Sequence, residues 1–172
     1  MRHTGEIALL LAVAIPVRAD VTILEADARR VVVEVVPAAA DVRAAASVRG
    51  EHVTISIPEF GQLDEPGLPE LPIRGIRVAI PPRTVPRLAV VTADWTEWRP
   101  GAVRPVPERI GVRDPFGPSR IEEAEPVEGP AYRSAGPWPA DPFALGGEAS
   151  VRHVATVPII VHGAQADPLR GS

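Results

Sequence analysis

The sequence predicts an all-β domain, a β-sandwich of the immunoglobulin-like or jelly-roll-like kind with one long irregular loop. Three observations lead there. Apolar residues alternate with period two in several short segments, the mark of half-buried strands. Turns rich in Pro and Gly separate these short segments, as in a sandwich or barrel. The 21 Pro and 14 Gly of the 172 residues stay under the share at which disorder becomes the default, and 45% of the chain is hydrophobic. One domain of this length has enough interior to bury a core.

The strands follow in order. Arg30 to Val36 is β-branched and almost wholly apolar, which suits a central strand. The Ala-rich stretch Ala38 to Arg49, with Gly50 behind it, fits either a helix or an extended segment. In His52 to Ile57, Val53, Ile55 and Ile57 share a face opposite Thr54 and Ser56. In Gly75 to Ile80, Ile76, Val78 and Ile80 align, and Pro81-Pro82 ends the run. In Arg87 to Asp94, Leu88, Val90 and Thr92 align. The last strand runs from Val151 to His162, where Pro158 implies an edge or a bulge. Between Pro100 and Gly147 periodicity fades, and Pro, Gly, Glu and Arg predict a long solvated loop.

Residues 1–19 read as a secretory signal. Arg2 and His3 form a basic start, Ile7 to Ile15 an apolar run, and Pro16 breaks it before Val17-Arg18-Ala19. Cleavage is expected between Ala19 and Asp20, leaving residues 20–172 as the exported domain. The run is too short to span a bilayer, which takes about 20 residues, so no transmembrane span is expected after signal removal. The protein is therefore expected in the periplasm, outside the cell or at its surface.

Chemistry is sparse. With no Cys, the chain has no disulfide, no thiolate metal site and no cysteine nucleophile. His153 and His162 would fall on opposite faces of one strand and make a poor metal pair. No Gly-x-Ser-x-Gly elbow, dinucleotide fingerprint or phosphate loop occurs. The basic residues are all Arg and are scattered along a chain of net charge −4, so no nucleic-acid footprint forms. Trp95 and Trp98 suit a carbohydrate-binding surface, but core or rim packing is the commoner explanation of such residues. The expectation is no catalytic centre, no cofactor and no metal.

One stretch carries more. Phe60-Gly61-Gln62-Leu63-Asp64-Glu65-Pro66-Gly67-Leu68-Pro69-Glu70-Leu71-Pro72 leads into the strand ending at Ile80-Pro81. It resembles the propeptide family of gingipain-type cysteine peptidases, whose pattern runs through Gly-x-Pro-x-Leu-Pro to a short strand closed by Val/Ile-Pro. Pro66, Gly67, Pro69 and Pro72 form the turn motif, with Gly and Pro slightly reordered. Trp138-Pro139, Leu145-Gly146-Gly147 and Ala164 to Pro168 are similar to the second half of that family. Taken alone, the prolines of the motif fix φ and remove donors, so the chain is expected to run extended there without sheet partners.

The resemblance implies a β-sandwich pro-region that helps a cysteine peptidase domain to fold and keeps it latent, with that domain either downstream in the same precursor or separate. It further implies a basic residue in a loop that enters the specificity pocket. Arg113, Arg120 and Arg133 are the candidates, and the pattern does not select among them. The family's closing strands are expected beyond Ser172, so the domain is expected to be incomplete at its C-terminus and the last strand to lie at an open edge. A stand-alone extracellular sandwich for adhesion or assembly is the alternative.

Overall fold

The structure is a computed structural model that describes residues 20–27, 29–47, 50–81, 83–97, 101–113 and 117–167. Residues 1–19, expected above to be a secretory signal cleaved after Ala19, lie outside the described residues, and Asp20 opens the first strand. The strands are β1 (Asp20–Ala26), β2 (Val31–Val36), β3 (Asp41–Ser47), β4 (Gly50–Ser56), β5 (Gly61–Gln62), β6 (Pro72–Ala79), β7 (Arg109–Val112), β8 (Arg120–Glu123), β9 (Phe143–Leu145), β10 (Ala149–Val151) and β11 (Val154–His162). A single 3-10 turn, Pro130–Arg133, is the helical element among the described residues. The fold is all-β.

Strands β10, β11, β6 and β5 form one sheet in that order, with β9 also on β11. The pairs β1–β2, β3–β4 and β7–β8 are two-stranded antiparallel ladders. Within Ala38 to Arg49, the described part through Ser47 resolves in favour of the extended reading. Asp41 to Ser47 pairs residue for residue with Ser56 to Gly50. Helix propensity of Ala is weak beside a full ladder of cross-strand bonds.

Ile55, Leu71, Val103 and Ala166 form the buried cluster, flanked by Val53, Trp138 and Ala164. Leu71 is wholly enclosed. Burial of such a side chain contributes about 1.5–3 kcal/mol. The four residues come from β4, the turn motif, the stretch after 100 and the tail, so the core closes only when distant parts of the chain meet. Ile55 and Ile57 of the alternating segment are buried while Ser56 is exposed, as period two requires.

Several expectations need correction. The run Val151 to His162 is not one strand. Arg152 and His153 take positive φ, 48° and 68°, and form the tight turn of a hairpin between β10 and β11. His153 therefore stands on a turn, apart from the strand that carries His162. Nor does β11 lie at an edge. It pairs with β6 on one side and with β10 and then β9 on the other. Pro158 is tolerated inside the sheet because its carbonyl faces the β9 side, accepting from Gly146 N–H at 2.8 Å. Its missing donor points the same way, into the break between β9 and β10.

Arg30 to Val36 is not central. Among the described residues strand β2 pairs with β1 alone, and Val31 and Val36 remain exposed. Arg87 to Asp94 joins no ladder, and Val90 and Val91 face solvent. Its alternation is genuine, but no described strand lies alongside to pair with it. The stretch after Pro100 is far from a simple solvated loop. It supplies β7, β8, the 3-10 turn and β9, and it buries Val103, Val106, Ala131 and Tyr132.

Candidate functional site: the β7–β8 hairpin and its root

The turn motif is built into the core. Pro69 and Pro72 are wholly buried on either side of Leu71, and Pro105 is buried with them. The motif has a partner after all, contrary to the extended, unpaired state expected of it. Val106 N–H donates to Leu68 O at 2.8 Å, Glu70 N–H to Arg104 O at 2.9 Å and Gly67 N–H to Val106 O at 2.9 Å. Residues 102–104 also bond to Val53 on β4: Val53 N–H donates to Ala102 O and Arg104 N–H to Val53 O. The strip from Ala102 to Val106 is thus fixed from both sides.

Gly67 sits at φ +83°, a conformation glycine adopts without cost. Gly129 N–H donates to Gly67 O at 2.8 Å, and a Cβ on Gly129 would lie 2.7 Å from that oxygen. The two backbones touch because neither carries a side chain. The 3-10 turn follows immediately. Its Tyr132 is buried, with the hydroxyl donating to Val103 O at 2.7 Å. Burial and the nearby Glu128 and Glu70 carboxylates push the Tyr132 phenol well above its ordinary value.

From this clamp the β7–β8 hairpin projects. Every residue of β8 is exposed, and so are Arg109, Ile110 and Gly111 of β7. Ile110 and Ile121 present apolar surface to solvent on it. Arg109 lies opposite Glu123 across the ladder, with Nε 3.7 Å from Oε1. At the root, Arg104 reaches both ways: Nη1 is 3.6 Å from Glu70 Oε2, and Nη2 donates to Glu123 Oε2 at 3.2 Å. Glu70 is largely enclosed. Loss of solvent raises its carboxyl above the usual range, and Glu123 adds to the rise while Arg104 and Arg109 oppose it.

The three candidate arginines are not brought together. Arg113 directly follows β7 and is exposed. It has no ion pair among the described residues. Arg120 opens β8 and is held by Glu122, Nη2 to Oε1 at 2.7 Å. Arg133 ends the 3-10 turn, exposed, beside the buried Tyr132. The sequence did not mark Arg104, Glu70 or Glu123, since each looks locally like a solvated charge and their meeting is a tertiary event. Trp95 is half-exposed with its ring 6.4 Å from that of Phe143, while Trp98 lies outside the described residues. The described residues hold no group of three or more potential metal ligands, and no helix among them is long and apolar enough to cross a membrane.

The model of one family, Propeptide_C25, matches residues 16–170, almost the whole chain and both halves of the fold. The chain belongs to the C25 propeptide family. Two solved structures share its fold. One is a complex of the pro- and mature domains of RgpB from Porphyromonas gingivalis, with TM-score 0.75 and 18% identity over 88% of this chain and 75% of that one. The other addresses the zymogenic latency of gingipain K from Porphyromonas gingivalis, with TM-score 0.69 and 15% identity over 91% of this chain and 86% of that one. No curated protein matches the chain. This C25 propeptide domain is the pro-region of a gingipain-type cysteine peptidase precursor and is not itself a catalytic unit. Precursors of this family are secreted, so the domain is an exported one.

Proposed function

We propose that this pro-region keeps its peptidase domain latent by laying the β7–β8 hairpin across the active-site cleft, with Arg113 in an acidic specificity pocket, and that it also assists folding of that domain. The observation that carries the reading is the contrast among the three arginines. Arg113 alone of them is both on the projecting hairpin and without an ion pair among the described residues. Arg120 would first have to leave Glu122, and Arg133 stands on a short turn next to buried structure. A guanidinium that meets a carboxylate in a dry pocket makes a bidentate contact stronger than any exposed pair. The exposed Ile110 and Ile121 add apolar area on the same ribbon.

In this reading residues 1–19 are removed after Ala19, and residues 20–172 act as a β-sandwich whose motif Pro66, Gly67, Pro69 and Pro72 anchors the hairpin's root. The domain meets its peptidase after export, in the periplasm, outside the cell or at its surface.

The test is inhibition of the peptidase domain of the same precursor by the native chain and by Arg113→Ala, Arg120→Ala and Arg133→Ala. Loss at Arg113 should be on the order of 2–5 kcal/mol in binding, from the carboxylate left unpaired, with little change at the other two. Equal small effects from all three would remove the arginine from the mechanism. No inhibition by the native chain would remove latency itself.

A further inference from the structure

We propose that Arg104 is a positioning residue that sets the posture of the β7–β8 hairpin, by bridging Glu70 of the buried turn motif to Glu123 of β8. The consequence for inhibition rests on the reading of the hairpin as the inhibitory arm. The geometry of the bridge does not.

The backbone of Arg104 is immobile. It is bonded to Val53 on β4 and to Glu70 on the motif, within the strip that lines the core. Its side chain leaves this fixed point half-covered and ends between two carboxylates. Glu70 is anchored in the motif beside wholly buried Leu71 and Pro69. Glu123, in contrast, belongs to a ribbon whose residues are nearly all in solvent. Antiparallel pairing fixes β7 against β8 but says nothing about the angle of the pair to the core. A two-stranded ribbon has little rigidity of its own. The Arg104–Glu123 hydrogen bond joins the last residue of β8 to the core, at the base of the ladder, where a small rotation moves the far pair Val112 and Arg120 most.

The second carboxylate explains why the bridge holds. An isolated exposed pair loses its small gain to side-chain entropy. Here Glu70 Oε2 is enclosed and makes no hydrogen bond, so Arg104 is the cation that balances it at 3.6 Å. Arg104 is therefore kept near Glu70 whether or not Glu123 is present, and the hairpin meets a guanidinium already in place. Arg109 approaches Glu123 from within the ladder and leaves the second oxygen to Arg104. Arg104, Glu123 and Arg109 are the charged groups acting on Glu70, and burial raises its carboxyl against the two arginines. Acidification that neutralises Glu70 loosens its hold on Arg104 and should release the hairpin.

The chain has no Cys, so spin labels on Ser56→Cys of β4 and Ser119→Cys of the hairpin connection are unique. The pulsed electron-spin distance between them reads the posture without any peptidase. The native chain should give a narrow distribution at neutral pH that broadens in acid. Arg104→Gln and Glu123→Gln should each broaden it at neutral pH, and Arg43→Gln on β3 should not. Arg104→Lys, which keeps the charge, should restore much of the narrowness. Should Arg104→Gln fail to fold, Glu123→Gln decides, because Glu123 sits on the exposed ribbon. Native widths in folded Glu123→Gln and Arg104→Gln overturn the proposal. Inhibition of the peptidase domain should weaken about tenfold in Arg104→Gln with the fold retained. Broadened distances with native inhibition would leave the posture assignment standing and remove the hairpin's inhibitory role.

Discussion

Pro69 and Pro105 face each other across an antiparallel bridge, both wholly buried. The ladder bonds on either side run from Val106 N–H to Leu68 O and from Glu70 N–H to Arg104 O. The two prolines thus occupy the non-hydrogen-bonded pair, where neither is asked to donate. Two residues that normally break sheets meet at a place where the missing donors do no harm.

Moving the proline by one position should break this arrangement. Val106→Pro removes the donor to Leu68 O and leaves that carbonyl short of a partner, at about 1–3 kcal/mol from the lost bond alone. Denaturant unfolding of Val106→Pro and Val106→Ala checks it. Equal stability of the two variants would show that the bond carries no weight.

Gly129→Ala should be costly for steric reasons, since its Cβ would press on the Gly67 carbonyl at 2.7 Å. We expect a loss of about 1–3 kcal/mol, as for other overpacked sites. Gly111→Ala on the projecting β7 meets nothing within 4 Å and is the control. Thermal melts of the two should separate clearly.

Tyr132 is the one tyrosine of the chain, so phenolate absorbance reports it alone. Its folded pKa is raised above the ordinary 10.0, chiefly by burial. The associated stability is full below pH 10 and is lost as pH rises through the folded value. Titration should show no phenolate through the usual range and then a rise together with unfolding. A smooth transition centred near pH 10 in the folded chain would contradict the buried, bonded hydroxyl.

Glu70 has a raised folded pKa relative to 4.5. Its contribution to stability is present below 4.5 and is lost as pH rises through the raised value. Glu70→Gln removes that pH dependence, so the variant should gain on the native chain between pH 4 and pH 7. Melting temperatures of both proteins across that interval test the sign. A variant that loses ground as pH rises would mean that Arg104 outweighs the cost of burial. Stability and hairpin posture thus respond oppositely to acid, because the neutral carboxyl that suits the interior no longer holds Arg104.

The all-β class was legible because period two is written in neighbouring residues. Val53, Ile55 and Ile57 declare their shared face within six positions, and Ile76 and Val78 do the same. The Pro and Gly spacing from Pro66 to Pro72 carried the family, and the resemblance to gingipain-type propeptides led to the pro-region reading that the family match supports. Those features are local or nearly so, and a local pattern is what a sequence displays.

Pairing is not local, and there the tertiary structure decided. Alternation in Arg87 to Asp94 could not reveal that no described strand would lie beside it, nor β-branching in Val31 to Val36 that only β1 would. The apolar run from Val151 to His162 concealed a hairpin, because the positive φ at Arg152 and His153 is imposed on ordinary residues by the ladders around them. The same holds at the candidate site. Arg113, Arg120 and Arg133 look alike as letters, and only the fold gives one an exposed place at the end of β7, one a carboxylate partner and one a place beside buried Tyr132. Arg104 gains its bridge because long-range backbone bonds fix it between two glutamates from distant segments, and the free energy of that meeting exists only after the chain has closed.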